Sequence, residues 1–239
     1  MLGRRTLIAA GLLLTAVCVS ATGGNAYGFG TGGYGNTTLT SGAYDTCAVL
    51  SNGTSDCWGW DNEGQLGSVP FNYHNYAPAE PSLPVAVPGV TDVTDLAAGA
   101  DHTCASVAVG GVECWGANDV GQIGNGSDDN GAQSPPVIAP TYVPGVGGAI
   151  AAGDSWTCAL GSDHTVQCWG SDQWGQLGNG IETTSEDSPV PVQGLAGAVQ
   201  LTAGSEHTCA LLESETVECW GDNQNDQLGT GAVVARHAR

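Results

Sequence analysis

Four stretches of the chain alternate apolar and polar residues on either side of a short turn: "CAVLSNGTSDCWG" from Cys47, "CASVAVGGVECWG" from Cys104, "CALGSDHTVQCWG" from Cys158 and "CALLESETVECWG" from Cys209. Period-two alternation around a turn rich in Gly, Asn, Ser and Asp predicts a β-hairpin in each. With the turns centred on Asn52, Val109, Asp163 and Ser214, Leu160 falls opposite Val166 and Leu211 opposite Val217. The two cysteines of each stretch then lie directly across the hairpin on one face. Upstream of the later three hairpins, "LPVAVPGVTDV", "PPVIAPTYVPGV" and "SPVPVQGLAGAV" read as further strands, whose prolines suit sheet edges or strand starts. Helix-period apolar stripes are absent. The pattern predicts an all-β protein with three or four short strands per repeat.

Extended outward, the hairpins become four copies of a longer phrase, "GAYDTCAVLSNGTSDCWGWDNEGQLG", "GADHTCASVAVGGVECWGANDVGQIG", "GDSWTCALGSDHTVQCWGSDQWGQLG" and "GSEHTCALLESETVECWGDNQNDQLG". Repetition at about 50 residues is the mark of a propeller or solenoid, in which each sheet buries its faces against its neighbours. The cysteine pairs Cys47 and Cys57, Cys104 and Cys114, Cys158 and Cys168, and Cys209 and Cys219 leave only Cys18 over. Zinc is the competing use of these cysteines, because His102 and His207 stand beside them. Structural zinc sites bring cysteines closer in sequence, and the histidine position holds Asp45 and Trp156 in the other two copies. One disulfide per hairpin is the reading adopted, each contributing about 2 to 3 kcal/mol by closing a short loop.

Charge narrows the function. The chain has no lysine, and its four arginines are Arg4, Arg5, Arg236 and Arg239, against 24 acids. A body without permanent cations is unsuited to nucleic acid, to phosphate substrates and to anionic membrane surfaces. The N-terminus places Arg4 and Arg5 before an apolar run from Leu7 to Val17 that is too short to span a bilayer, which predicts a signal peptide over residues 1–21. Extracellular or periplasmic localisation follows, an oxidising setting that agrees with bridged cysteines.

The glycine turns, the tryptophan-glycine steps and the recurring Gln-Leu-Gly together resemble the repeat of the regulator of chromosome condensation family, as carried by exported bacterial proteins similar to the alpha-tubulin suppressor. The resemblance covers residues 42–229. It implies β-propeller blades of four strands each, seven of which close a ring in that family, so the four visible repeats suggest a partial propeller. It assigns structural roles to Gly42, Gly99, Gly153 and Gly204, and to Trp58, Trp115, Trp169 and Trp220. Gly64, Gly121 and Gly175 precede Gln-Leu-Gly or Gln-Ile-Gly, and the fourth copy has Asp226 there. The expected organisation is a degenerate segment at 22–41, repeats at about 42–95, 96–150, 151–201 and 202–229, and a non-repeat tail at 230–239.

The expected function is that of an exported, non-enzymatic scaffold that binds a protein or cell-wall ligand through loops, with self-association through open blade faces. Candidate contacts are Trp60, Asp61, Asn62 and Glu63, the stretch 69–76, the stretch 125–130 with Asp128 and Asp129, and the stretch 181–187. No catalytic residue and no cofactor is expected; the Asp128-Asp129 pair is a weak calcium pattern lacking further ligands. A propeller glycosidase or lyase is the alternative, on the strength of abundant carboxylates. Nucleotide exchange, the founding family's activity, is disfavoured because a shared fold does not transfer it to an exported chain.

Overall fold

The computed structural model describes residues 39–68, 83–109, 111–128, 136–181 and 183–230. Every regular element among them is a strand. Four antiparallel sheets follow one another along the chain. The first contains β1 (Leu39–Ser41), β2 (Asp45–Val49), β3 (Ser55–Gly59) and β4 (Val85–Ala86). The second contains β5 (Val93–Ala98), β6 (His102–Val107), β7 (Gly111–Gly116) and β8 (Val137–Val143). The third contains β9 (Ala149–Ala152), β10 (Trp156–Leu160), β11 (Val166–Ser171) and β12 (Ser185–Pro191). The fourth has three described strands, β13 (Ala198–Ala203), β14 (His207–Leu212) and β15 (Val217–Gly221).

The central hairpins have the register that alternation predicts. Cys47 pairs with Cys57, Cys104 with Cys114, Cys158 with Cys168 and Cys209 with Cys219, Leu160 lies opposite Val166, and Leu211 opposite Val217. Each cysteine pair is bridged, with Cα atoms 4.0 to 4.1 Å apart. The proline-valine segments are divided: their first part is the outer strand of the preceding sheet (β4, β8, β12), and the chain then turns into the inner strand of the next. Proline is tolerated there because an outer strand leaves one edge unpaired. β1 lies inside the stretch expected to be degenerate, so the first sheet begins at Leu39. The expected signal peptide and residues 231–239 lie outside the described residues.

Three apolar cores lie between successive sheets. Cys47, Cys57 and Leu66 of the first repeat meet Trp115 of the second. Cys104, Cys114 and Ile123 of the second meet Trp169 of the third, and Cys158, Cys168 and Leu177 of the third meet Trp220 of the fourth. Each seam is also hydrogen-bonded. The indole N–H of Trp115 donates to Gln65 O (2.8 Å), that of Trp169 to Gln122 O (3.0 Å) and that of Trp220 to Gln176 O (2.9 Å). Gly67, Gly124 and Gly178 have φ between 62° and 75°, and a Cβ added to any of them would sit 2.6 to 2.9 Å from the next repeat's indole. Glycine is therefore required twice over, by backbone sign and by the closeness of the ring.

Candidate functional site

Strand direction alternates within each antiparallel sheet, so the loop after the inner strand and the loop after the third strand leave on the same side. That side carries the short loops 42–44, 99–101, 153–155 and 204–206, together with the longer segments that begin at Trp60, Ala117, Asp172 and Asp222. Backbone bonds tie the short loops in series: Ala43 N to Gly99 O (3.3 Å), Ala100 N to Asp154 O (3.0 Å) and Asp154 N to Ser205 O (3.1 Å). The hairpin turns, including His164 with its 3.5 Å contact to Glu213, open on the other side.

The longer segments are held by a repeated device. Asp61, Asn118, Asp172 and Asn223 each accept, through Oδ1, the backbone N–H of the residue five positions on, at 3.0 to 3.1 Å. The glutamines of Gln-Leu-Gly and Gln-Ile-Gly accept a backbone N–H through Oε1, at Gln65, Gln122, Gln176 and Gln227. Their Nε2 atoms then donate to carboxylates: Gln65 to Asp101 (3.4 Å), Gln122 to Asp119 (2.7 Å), Gln176 to Glu206 (2.6 Å) and Gln227 to Asp222 (2.8 Å). Gln65 and Gln176 reach an acid of the following repeat, so the amides draw carboxylates from successive sheets into one row.

No lysine or arginine occurs among the described residues, and the row bears the electrostatic cost. Burial pushes the Glu206 carboxyl up to about 7, with Asp154 and Asp222 adding like-charge repulsion. Asp101 is raised by burial, then by Asp119 and Asp154; Glu63 is raised by burial, then by Asp101 and Asp119. Asp45 is pushed up to about 7 by burial, with Asp101 and Asp61 adding to it. Asp45 occupies the position held by His102, Trp156 and His207 in the other repeats. His102 Nε2 lies 2.8 Å from Thr157 Oγ1 of the next sheet, and Trp156 Nε1 donates to Ser205 O at 3.0 Å. Asp45, 3% exposed, has neither oxygen hydrogen-bonded. A carboxyl in that position favours its neutral form. His102 is itself fully buried and held neutral, its imidazole lowered to about 4 by desolvation.

Beside the acidic row, Tyr44 (72% exposed) and Trp60 form a tilted aromatic pair with ring centroids 6.4 Å apart. The structure places the candidate contacts Trp60 and Glu63 on the acidic face and leaves Asn62 exposed beside them. It corrects Asp61, which is 3% exposed, raised to about 6 by burial, and engaged in holding its own loop. The stretch expected as a loop at 181–187 is shorter than its bounds, because Ser185, Glu186 and Asp187 belong to β12. Asp128 closes a described segment, whereas Asp129 and residues 69–76 lie outside the described residues. Sequence reasoning did not single out Asp101, Asp119, Asp154, Glu206 or Asp222. A signal was present in "GADHTC", "GDSWTC" and "GSEHTC", which all carry an acid between the glycine and the Thr-Cys step.

Successive four-stranded antiparallel sheets, stacked through a tryptophan and bearing their long loops on one side, define a β-propeller repeat protein. The model for "Regulator of chromosome condensation (RCC1) repeat" matches residues 57–106 and 163–211, and a second model of the same description matches 93–122 and 198–227. The chain belongs to this repeat family. It is 33% identical over 204 residues to the Ultraviolet-B receptor UVR8 of Arabidopsis thaliana, an alignment covering 81% of this chain and 43% of the receptor. It is 30% identical over 200 residues to the human E3 ubiquitin-protein ligase HERC2, covering 81% of this chain and 4% of the ligase. Among solved structures it resembles yeast RCC1 (Prp20) bound to Kap60, with TM-score 0.71, 20% identity, and 90% of this chain and 51% of that one covered. Human WBSCR16 is similar at TM-score 0.70 and 22% identity, covering 89% of this chain and 54% of that one. The chain therefore spans about half the length of the solved propellers it matches, or less of the curated relatives.

Proposed function

We propose that this protein is an exported, non-enzymatic binding scaffold that engages another protein through its acidic, aromatic-edged loop face. The observation that carries this reading is the convergence, on one side of four stacked sheets, of Glu63, Asp101, Asp119, Asp154, Glu206 and Asp222 with the pair formed by exposed Tyr44 and half-buried Trp60. Fixed carboxylates without neutralising cations favour a partner that brings positive charge, and exposed aromatic rings supply contact area at low entropic cost. The raised carboxyls have a structural cause in burial and mutual repulsion, so they do not require a catalytic role. Four bridged hairpins agree with an oxidising compartment, which supports export.

The test is capture from the native extracellular fraction by parent protein and by a Tyr44→Ser/Trp60→Ser double variant, with quantitative mass spectrometry of the crosslinked material. The reading expects protein partners that the variant captures at least tenfold less well and that added salt releases. Equal capture by parent and variant, or captured material that is insensitive to salt, overturns it.

A further inference from the structure

The seam between the second and third repeats departs from the other two on the side where the hairpin turns lie. Val49, Leu160 and Leu211 stand two residues after the first bridged cysteine of their hairpins, and Val49 and Leu160 fill the apolar cores beside their bridges. The second hairpin has Ser106 there. It is 2% exposed, and its hydroxyl has no hydrogen-bond partner among the described residues. A buried hydroxyl in that condition costs stability where a valine or leucine would contribute it.

The chain that would cover Ser106 is also short. Eleven residues separate Val87 from Gly99 and Val192 from Gly204, whereas nine separate Val143 from Gly153. The longer segments accommodate a bulge in β5 and in β13, which β9 lacks. In the second and fourth repeats the segment closes on its own hairpin, Ala108 N donating to Asp92 O at 2.9 Å and Glu213 N to Gly197 O at 2.8 Å. Ser162 N, at the same position of the third repeat, has no such acceptor. A small side chain and a short segment together leave a cleft of about 510 Å³, a size that suits a small-molecule ligand.

Ser106 forms the floor of this cleft; Thr94, Ser162, Asp163 and Thr165 are exposed around its mouth, and half-buried Gln167 lies between. Hydrogen-bonding capacity remains on several of these groups. Asp163 accepts both bonds from Thr165 through Oδ1, which leaves Oδ2, and Gln167 donates one N–H to Gly145 O at 3.4 Å, which leaves its carbonyl and second N–H. Among the described residues no cation lines the cleft, and Asp163 would repel an anion. Val107 and Val146 add a small apolar wall. Hydroxyl, amide and carboxylate groups beside a short apolar surface match an uncharged ligand that carries hydroxyls around an apolar ring face.

We propose that this cleft binds a short neutral saccharide, whose hydroxyls bond the Ser106 hydroxyl, Ser162 N–H and the free atoms of Asp163 and Gln167. The cleft opens on the side opposite the acidic loop face, so the site stands or falls independently of the protein-binding role.

The test is titration of the full chain with glucose, galactose, N-acetylglucosamine, maltose and cellobiose, read by amide NMR. At millimolar concentration at least one of these sugars is expected to shift the amides of residues 145–148 and 161–165 saturably while leaving those of the loop face unmoved. Ser106→Leu installs the side chain that the third and fourth repeats carry and fills the cleft. It should weaken that binding at least tenfold, with Tm level or higher. Ser162→Leu, at the exposed mouth, takes its place if Ser106→Leu does not fold. Cleft amides unmoved by every one of these sugars overturn the proposal, as does parent-like sugar binding in the folded variant. Shifts produced by ethylammonium and by no sugar also overturn it, since the ligand would then be a cation.

Discussion

The indole N–H of Trp115 donates to the carbonyl of Gln65, 50 residues earlier in the chain, at 2.8 Å, and the ring packs on Gly67. One side chain thereby fills an apolar core, satisfies a loop carbonyl and fixes the spacing between two sheets. Trp115→Ala should lower stability by about 3 to 5 kcal/mol, the range for losing a buried aromatic. Trp115→Phe should cost less but more than zero, because the carbonyl of Gln65 then loses its indole donor. Denaturant unfolding of the two variants separates the packing and hydrogen-bonding parts; a parent-like midpoint for Trp115→Ala contradicts the seam.

The four bridges differ in shelter rather than in pairing. Six of the bridged cysteines are fully buried, whereas Cys209 and Cys219 are half-buried. Limited reduction followed by differential alkylation should open Cys209–Cys219 first, since thiolate attack needs access to a sulfur. Peptide mapping reads the order directly.

Asp226 occupies a left-handed conformation, φ 59°, at the position where Gly64, Gly121 and Gly175 have φ of 74° to 78°. Aspartate tolerates this region better than most residues but still pays a steric cost that glycine does not. Asp226→Gly is expected to raise stability by roughly 0.5 to 1 kcal/mol, seen as a small increase in Tm. A decrease would mean that the carboxylate contributes more than its backbone costs.

Acidity should stabilise this protein over a defined interval. Asp45 and Glu206 are raised to about 7, and Asp61 and Asp172 to about 6, from ordinary values near 4, chiefly by burial. The folded chain then holds more protons than the unfolded chain between about pH 4 and pH 7, so stability falls as pH rises through that window. His102, held neutral down to about 4, opposes the trend as a single group against four. Tm should be higher at pH 5 than at pH 8, and Asp45→Asn should flatten part of the slope. A Tm that rises with pH across this range contradicts the assignment.

Much of the fold is legible in the sequence because hairpin pairing is local. Cys47 and Cys57 are ten residues apart, and alternation around a central turn is enough to set their register. The assignment of "SPVPVQGL" to the third sheet is harder to read, since an outer strand and the next inner strand share one segment with no helix between them. β1 was missed because three residues cannot display alternation. The acidic row was hidden for a different reason: Asp101, Asp154 and Glu206 lie about 50 residues apart, and only stacking of the sheets brings them together. Asp61 misled because an exposed-looking acid in a glycine-rich loop was already committed to Leu66 N.

The stacking itself is tested most directly by exchange of the indole N–H protons, followed by NMR in the parent protein at low concentration. Trp115, Trp169 and Trp220 should exchange slowly, each being fully buried and bonded to the preceding repeat's carbonyl, while Trp58 exchanges rapidly. Rapid exchange at Trp115, Trp169 and Trp220 in the folded protein, or protection of Trp58 equal to theirs, would contradict an array of repeats held together through these seams.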